Sequence, residues 1–429
     1  MPSIKAYTLG CKVNSYETEA VLQMFLENGF TEKEIHETAD VTLINTCAVT
    51  QMAGNKSLKY VKHFVKENEN SFVIVMGCFS QLEPFKILTA GAKIVIGTNF
   101  RRELFSIYKD YKEPIIKTNE ILKENKYENL KISSFSKTRA FVKIADGCNE
   151  FCSFCVIPFV RGHLRSRDPE DIINEIKSLR ETGVNEIVLT GINTAAYGKD
   201  LKTIDFPDLL EKIITNVKNC PKIRISSMEV VELNDKLLMV LKRFAGHFCQ
   251  HFHLPIQSGS DSVLKSMRRP YDLDYFRDRV KRLREIFPTV NITTDILAGY
   301  LTETDEEFTN SLNFLKEIGF GELHVFPYSK RQYTKDYTKE EKITPEVKHR
   351  RVQKLLTLNK ELSLNYRKSF LDKELKVLVE KVIKGVAFGH TDNYLEVKFN
   401  YDGKTNKYVN VKITKPKYPV SEGEFISSN

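Results

Sequence analysis

The sequence has no long hydrophobic run, and this absence limits the classes of protein it can belong to. None of its segments approaches the ~18 consecutive apolar residues that a transmembrane helix needs. The first residues, MPSIKAYTLG, also lack the basic and then apolar regions of a secretory signal peptide. We therefore expect a cytoplasmic protein with no membrane partner. In that compartment its eight cysteines are expected to be metal ligands or free thiols and not disulfides.

Internal repeats and low-complexity tracts are absent as well, and the remaining composition is that of a globular protein. Hydrophobic residues make up 41% of the chain and charged residues 28%. At 429 residues the chain is too long for one ordinary core, so two or three domains are expected. The formal charge of +9 permits a polyanionic partner such as nucleic acid but does not require one.

The order of apolar segments predicts an α/β protein with three domains. Residues 1–110 alternate short apolar runs with amphipathic helical runs, which is typical of a doubly wound parallel sheet. Residues 111–134 are rich in Lys, Glu and Asn and are predicted to be a linker. Residues 135–373 repeat strand and helix six times, which predicts a partial (β/α)6 barrel that is open on one side. Residues 374–429 contain short β-type runs, typical of a small antiparallel β-barrel.

The first helix has sequence signals at both ends. Asn14 and Glu17 have the spacing of a capping box, in which the two side chains satisfy backbone N–H groups of the first turn. Gly29 is a suitable residue to end the same helix. The sequence therefore predicts a helix that begins near Asn14 and stops at Gly29.

Three cysteines lie close together at the start of the predicted barrel. Cys148, Cys152 and Cys155 occur in the segment GCNEFCSFC, with no fourth cysteine or neighbouring histidine to complete the set. A structural zinc site usually has four protein ligands. A cubane iron–sulfur cluster held at three irons instead keeps its fourth iron free. The loop therefore favours a metal cluster with one open position for a substrate or a cofactor.

A second set of three cysteines is spread through the first domain. Cys11, Cys47 and Cys78 each follow a predicted strand, after TLG, INT and VMG respectively. The carboxyl ends of parallel strands open into one crevice, so the three thiols can converge on one metal cluster. Gly10 and Gly77 precede two of them and permit a close approach of the backbone. The alternative is that these cysteines are small buried residues with no ligand role.

The motifs around both sets resemble those of one enzyme family. The segments TLGCKVNSYETE, NTCAVT, MGCFSQ and KIADGCNEFCSFCVIPFVRGHLRSR are similar to segments of the radical S-adenosylmethionine (SAM) methylthiotransferases. The resemblance continues through LTGINTAAYG, ISSMEV and HLPIQSGSDSVLKSMRRPY and covers essentially the whole chain. The final segment, with GHTDNYLEVKF, resembles the small RNA-binding β-barrel, called TRAM, that ends this family.

The resemblance implies two [4Fe–4S] clusters with different roles. Cys148, Cys152 and Cys155 would hold the radical cluster, whose open iron binds SAM and whose electron splits it to give a 5′-deoxyadenosyl radical. The second cysteine set would hold an auxiliary cluster, which delivers a methylated sulfur to a carbon that has lost its hydrogen. The family chemistry also implies a reducing electron donor and a sulfur source. An unactivated C–H bond has no acidic proton, so no catalytic acid and base pair is expected.

The residues after the first cysteine indicate a branch of the family. Lys12, Val13 and Tyr16 resemble the branch that acts on N6-threonylcarbamoyladenosine beside the anticodon of tRNA and converts it to the 2-methylthio form. The branches that act on isopentenyladenosine in tRNA or on an aspartate of a ribosomal protein tend to differ at these positions. We therefore expect a monomeric tRNA methylthiotransferase. Those two substrates are the alternatives, together with an RNA-binding iron–sulfur or zinc protein without catalysis.

Residues at the predicted strand ends are candidates for binding SAM, because barrel sites are built there. They are Gly191, Asn193, Ser226, Ser227, Glu229, Gln257, Ser258 and Asp295. Phe154, directly before the last cysteine of the loop, is a candidate for placing its backbone against the adenine. Each of these residues could instead serve as a turn residue or a helix cap.

Basic residues near the same motifs have two interpretations. Arg161 and the segment RRP at 268–270 could bind phosphates or the SAM carboxylate, or could form ordinary ion pairs. His251 and His253 are predicted to pack or to make local hydrogen bonds and not to bind zinc.

Two places depart from the family pattern. Many relatives have phenylalanine, proline and glycine after the fifth strand, whereas this chain reads GYLTE at 299–303, and the loss of proline and glycine changes the turn geometry. Ala145 replaces a glutamine that is common before the loop that contains Cys148, Cys152 and Cys155, which we call the radical loop. Contacts inferred from the family at these two places therefore need structural support.

Overall fold

The first domain is a six-stranded parallel sheet with helices on both faces. The computed structural model describes residues 1–67, 71–133, 135 and 138–428. The strands are β1 (Ser3–Thr8), β2 (Thr31–Glu32), β3 (Val41–Thr46), β4 (Phe72–Gly77), β5 (Ile94–Ile96) and β6 (Ile115–Lys117). Every adjacent pair is parallel, in the order β2-β1-β3-β4-β5-β6. Every residue of β3 is buried, as expected for a strand covered on both faces.

The helices of this domain divide between the two faces of the sheet. They are α1 (Lys12–Glu27), α2 (Gln51–Glu67), α3 (Cys78–Leu82), α4 (Pro84–Thr89) and α5 (Leu104–Lys109). Apolar residues of α1 and α5 form a core on one face, and those of α2 and α4 form a core on the other. This arrangement confirms the predicted doubly wound parallel sheet.

Helix α1 begins before its predicted start, so the predicted capping box is wrong. The helix starts at Lys12, directly after Cys11, which makes no side-chain capping bond. Asn14 and Glu17 therefore lie inside the helix, and both side chains are buried in the protein. Gly29 follows the end of the helix with a φ of +87°, in agreement with the prediction.

The predicted linker at 111–134 is structured over part of its length. Strand β6 (Ile115–Lys117) pairs with β5 and extends the first domain beyond the predicted boundary at residue 110. Leu130 and Ile132 are buried in the core of the second domain. The short strand lies in a polar segment and its side chains are only half-buried, so it produces a weak sequence signal.

The second domain is an incomplete barrel of six parallel strands, as predicted. The strands are β7 (Arg139–Lys143), β10 (Glu186–Thr190), β11 (Lys222–Ile225), β12 (His251–His253), β13 (Asn291–Ala298) and β14 (Glu322–Pro327). They form two sheets, β11-β10-β7 and β12-β13-β14. Isolated parallel bridges between β11 and β12 connect the two sheets. Within the described residues β7 and β14 do not pair, so the barrel is open between them. Strands β8 (Ala145–Asp146) and β9 (Arg165–Ser166) form a separate antiparallel pair.

Eight helices surround this barrel in the part of the chain that the structure describes. They are α6 (Ile157–Arg161), α7 (Pro169–Glu181), α8 (Phe206–Asn216), α9 (Asp235–Arg243), α10 (Asp261–Ser266), α11 (Leu273–Ile286), α12 (Asp305–Ile318) and α13 (Pro345–Lys368). The long α13 packs on β13 and β14 and leads to the last domain. None of the described helices has the length and apolar character that crossing a bilayer requires.

The last domain is a closed five-stranded β-barrel. Its strands are β15 (Glu374–Ile383), β16 (Val386–Thr391), β17 (Glu396–Asn400), β18 (Tyr408–Lys415) and β19 (Ser421–Ser428). All pairs are antiparallel except β17 with β19. The predicted small barrel is therefore confirmed, although β16, which contains a glycine, was not among the predicted strands.

The small barrel packs against the amino ends of the strands of the second domain. The Asn185 side chain, before β10, donates to the carbonyl of Asn406 at 2.9 Å. The Asn291 side chain, at the start of β13, donates to the carbonyl of Asn393 at 2.9 Å. The last domain therefore closes the end of the partial barrel opposite to its carboxyl-terminal loops.

A buried ionic cluster joins the first domain to the partial barrel. The Glu17 carboxylate lies 2.6 Å from Arg101, 2.7 Å from Lys143 and 2.9 Å from Arg161. Asp146 lies 2.6 Å from Lys143 and 2.9 Å from Arg161. Burial alone would raise the pKa of Glu17, but the three cations together hold it well below its usual range. We call these five residues the ionic cluster.

Removing the charge of Glu17 is expected to destabilise the protein strongly. Glu17→Gln leaves three buried cations with two carboxylates, Asp146 and Glu128, and breaking a buried ion pair in this way costs about 3–5 kcal/mol of unfolding free energy. Glu27→Gln, at the exposed end of the same helix, is the matched control and should change stability by less than about 0.5 kcal/mol. Denaturant unfolding measures both variants. Equal effects of the two substitutions would contradict a structural role for the cluster.

Candidate functional site

The three cysteines of the first domain lie at the carboxyl ends of neighbouring parallel strands. Cys11 follows β1, Cys47 follows β3 and Cys78 follows β4. Gly10 and Gly77 have φ values of +107° and +108°, which side chains rarely adopt. A Cβ on Gly10 would also lie 3.2 Å from the Cβ of Cys47. The backbone therefore needs glycine to bring these loops together, as the sequence predicted.

These three thiols influence one another electrostatically. Burial raises the pKa of Cys78 to about 12, against the opposing effect of Arg161, and the neighbouring Cys47 and Cys11 raise it further. Thiolates are the form that binds metal, so a metal bound here would displace protons from these groups.

Cys148, Cys152 and Cys155 form a compact loop between β8 and α6. The backbone N–H of Cys148 donates to the carbonyl of Gly162 at 3.1 Å, and that of Cys155 donates to the carbonyl of Cys152 at 3.1 Å. Burial raises the pKa of Cys148 to about 12, and the nearby Cys152 raises it further. This loop therefore also presents three adjacent thiols.

Each cysteine set offers three thiols, which is the number of protein ligands of a [4Fe–4S] cluster that keeps one iron open. Among the described residues, one group brings three ligand atoms within 4.8 Å of one another, and it contains no cysteine. Each cysteine set is therefore spread more widely than the ligands of one tetrahedral ion. Three separated thiolates suit a [4Fe–4S] cluster, in which each binds a different iron and one iron has no protein ligand.

Arg269 contacts the radical loop, a role that sequence reasoning did not assign. Its Nη1 lies 3.2 Å from the Sγ of Cys152, and its Nη2 pairs with Glu229 and with the carbonyl of Pro255. A guanidinium beside a thiolate stabilises the charged form of the cysteine. Arg269 is buried and forms an ion pair with Glu229, which is one of its two predicted interpretations, whereas Arg268 is exposed.

Two adjoining cavities connect the two cysteine loops. The larger has a volume of about 680 Å³ and is lined by Cys11 of the first domain. The smaller has a volume of about 190 Å³ and is lined by Cys155 of the radical loop. Asp295 and Phe326 line both cavities. One ligand, or two ligands in contact, could therefore reach Cys11 of one set and Cys155 of the other.

Six of the nine predicted SAM-binding residues line one of these cavities. Those of the larger are Gly191, Ser226, Ser227 and Asp295, and those of the smaller are Phe154, Gln257 and again Asp295. The other three make protein contacts instead. Asn193 bonds Glu232, Ser258 lies 3.3 Å from Ser311, and Glu229 pairs with Arg269. Binding of SAM by any of them stays a prediction.

An acid between two histidines forms part of the wall of the larger cavity. Asp295 Oδ1 lies 3.2 Å from His253 Nε2 and 3.3 Å from His324 Nδ1. His251 and His253 both contact the hydroxyl of Thr293, at 3.0 and 2.9 Å, so the predicted local hydrogen bonds are present. The three side chains His253, Asp295 and His324 have ligand atoms close enough to hold one ion.

The loop at 299–303 is held in place without the family's proline and glycine. The Tyr300 hydroxyl lies 3.0 Å from that of Ser153, next to Cys152. The Glu303 carboxylate accepts from the backbone of Gly299 at 3.1 Å and lies 2.8 Å from Arg351. These contacts replace the restriction that proline would give. Ala145, the other position that differs from the family pattern, is buried in β8 and has no side-chain amide that could contact a ligand.

Comparison with known proteins identifies the family. A model described as the radical SAM superfamily matches residues 142–315, and a model of the uncharacterized protein family UPF0004 matches residues 3–97. The threonylcarbamoyladenosine tRNA methylthiotransferase MtaB of Bacillus subtilis (strain 168) is 41% identical over 99% of this chain and 97% of that protein. This chain belongs to the radical SAM tRNA methylthiotransferase family. Membership makes it an enzyme that transfers sulfur-containing groups, with SAM and [4Fe–4S] as cofactors.

Other relatives of this methylthiotransferase are named for a different nucleoside or share only its fold. The tRNA-2-methylthio-N(6)-dimethylallyladenosine synthase of Clostridium perfringens (strain SM101 / Type A) is 35% identical over 95% of this chain and 94% of that protein. The solved structure of the radical SAM methyltransferase TsrM from Kitasatospora setae superposes with a TM-score of 0.56 at 12% identity. That match covers 78% of this chain and 77% of TsrM and shows a shared fold alone.

Thiol labelling tests whether the first cysteine set holds a cluster. In the metal-free protein Cys11 is exposed and Cys78 is buried, so iodoacetamide should modify Cys11 much faster. After cluster reconstitution Cys11 should become protected, because its sulfur is then bound to iron. Peptide mass spectrometry measures both rates, with Cys249, which is buried and outside both sets, as the internal control. Unchanged labelling of Cys11 after reconstitution would contradict a ligand role.

Proposed function

We propose that this enzyme converts N6-threonylcarbamoyladenosine next to the anticodon of tRNA to its 2-methylthio form. The observation that carries the proposal is that one cysteine of each set, Cys11 and Cys155, lines one of two adjoining cavities, which a single adenine base and SAM could share. The similarity to the Bacillus subtilis relative over 99% of the chain supports the choice of nucleoside.

The proposed roles of the residues follow from their positions. When bound, SAM and the clusters supply the 5′-deoxyadenosyl radical and the sulfur that is transferred. Cys148, Cys152 and Cys155 hold the radical cluster, and Arg269, whose Nη1 contacts the Sγ of Cys152, opposes the rise in the pKa of this thiol that burial causes. The second cysteine set holds the auxiliary cluster. The ionic cluster keeps the two loops at a constant separation, and the cavity walls exclude water from the reacting carbon.

The remaining partners are part of the same proposal. The closed barrel of β15 to β19 binds RNA on its outer face, as a TRAM-like module, and the enzyme works as a monomer in the cytoplasm with its tRNA. A reducing electron donor and a sulfur source complete the reaction. The overall charge of +9 is compatible with a polyanionic substrate.

Nucleoside analysis tests the choice of substrate. The reconstituted enzyme is incubated without oxygen with SAM, dithionite and tRNA that lacks the methylthio group. We expect mass spectrometry to find 2-methylthio-N6-threonylcarbamoyladenosine. A methylthio group found only on isopentenyladenosine would contradict the proposed substrate and favour the activity named for the Clostridium relative.

Cysteine variants test the division of labour between the two sets. Cys148→Ala should abolish release of 5′-deoxyadenosine, because the radical cluster loses a ligand. Cys47→Ala should retain that release but stop sulfur insertion. Chromatography of deoxyadenosine and of the tRNA nucleosides measures both activities. Equal loss of both in each correctly folded variant would contradict two separate clusters.

A further inference from the structure

Lys12 is an unpaired cation that lies next to Cys11 in the wall of the larger cavity. It follows Cys11 directly and lines both the larger cavity and a neighbouring recess of about 370 Å³. Within the described residues its ammonium group makes no ion pair and no hydrogen bond. Asp295, a carboxylate of the same cavity, is already engaged by His253 and His324.

The buried Arg224 and the half-buried Arg139 form part of the wall of the recess beside Lys12. Arg139 and Arg224 both lie 2.7 Å from the carboxylate of Glu186 through their Nε atoms. Arg224 is only 1% exposed, and among the described residues the Nη2 atoms of both arginines have no hydrogen-bond partner. Both guanidinium groups also lie over the ring of Tyr394, at 5.4 and 4.7 Å.

The charges around the recess do not balance. Four cations line the recess, namely Lys12, Arg139, Arg224 and the exposed Lys381. In the part of the chain that the structure describes, only two carboxylates lie beside them, Glu186 and Glu380, the latter 2.6 Å from Arg139. An excess positive charge next to buried guanidinium groups is unfavourable until an anion approaches it. The recess is therefore built to receive one negatively charged group from the cavity.

We propose that Lys12 binds the carboxylate of the threonylcarbamoyl substituent, with Arg139 and Arg224 supplying the positive surroundings. This inference rests on the proposed function. In adenine, C2 and the carbon that bears N6 flank the same ring nitrogen. A group on N6 therefore lies within reach of a side chain beside a cluster that serves C2. A dimethylallyl group is apolar and would gain nothing from this cation, so Lys12 is a specificity-determining residue.

A neutral substrate analogue isolates the carboxylate contact. Two anticodon stem–loop RNAs are compared, one with threonylcarbamoyladenosine and one with its threonine carboxylate converted to the methyl amide. The wild-type enzyme should favour the acid by about 10- to 100-fold in kcat/KM and in affinity, the range of one charge-assisted hydrogen bond. Lys12→Gln should reduce this preference to about one by losing activity on the acid alone. Lys12→Arg should retain most of it.

The control variant and the folding measurements separate the possible outcomes. Lys177→Gln, on an exposed position of α7, should leave the preference unchanged. Iron content and visible absorption report cluster loading, and affinities measured on the cluster-free proteins provide a readout independent of turnover. Equal losses on both RNAs in Lys12→Gln would overturn the inference and assign Lys12 to cluster chemistry or phosphate binding. A wild-type enzyme that converts neither RNA refutes the proposed function itself, whereas an active wild-type enzyme without preference refutes only the role of Lys12.

Discussion

Glu17 lies where the first domain meets the partial barrel, and its carboxylate is shared by cations from both sides. A buried charge is costly unless it is fully paired, so the two domains reach low energy in one relative position. That position also sets the separation of the cysteine loops. Asp146 precedes Cys148 by two residues, and Arg161, on the far side of the radical loop, opposes the rise in the pKa of Cys78 that burial causes in the first domain. The separation of the two cysteine loops therefore depends on the ionic cluster between the domains.

Much of the architecture could be predicted from the sequence, because its signals are local. The six barrel strands, the parallel sheet and the small final barrel each follow from apolar runs and turns that are adjacent in the chain. The convergence of Cys11, Cys47 and Cys78 was predictable for a related reason, since each residue follows a strand end and parallel strand ends share one edge. The sequence does not predict strands β6 and β16. Strand β6 lies in a polar segment, and strand β16 contains a glycine.

The contacts that make the site specific were not predictable in the same way. The spacing of Glu17 from Asn14 predicts a helix cap, and only the fold brings its counterions to it. Arg269 reaches Cys152 across more than a hundred residues of chain, and the recess beside Lys12 combines side chains from three domains. Contacts between residues so far apart in the chain depend on the tertiary structure. The hydrophobic periodicity of a single sequence does not predict them.

The position of the small barrel has a consequence for how the enzyme can be divided. Tyr394 and His390 belong to this barrel, yet they line the larger cavity, and the ring of Tyr394 stacks on His251 at 4.7 Å. The small barrel thus forms part of the wall of the larger cavity and is also a candidate RNA-binding module. Truncating it would admit water to a space that must remain dry for radical chemistry, and would uncover the charges of Arg224. Loss of activity in a truncated enzyme would for this reason be no measure of RNA affinity.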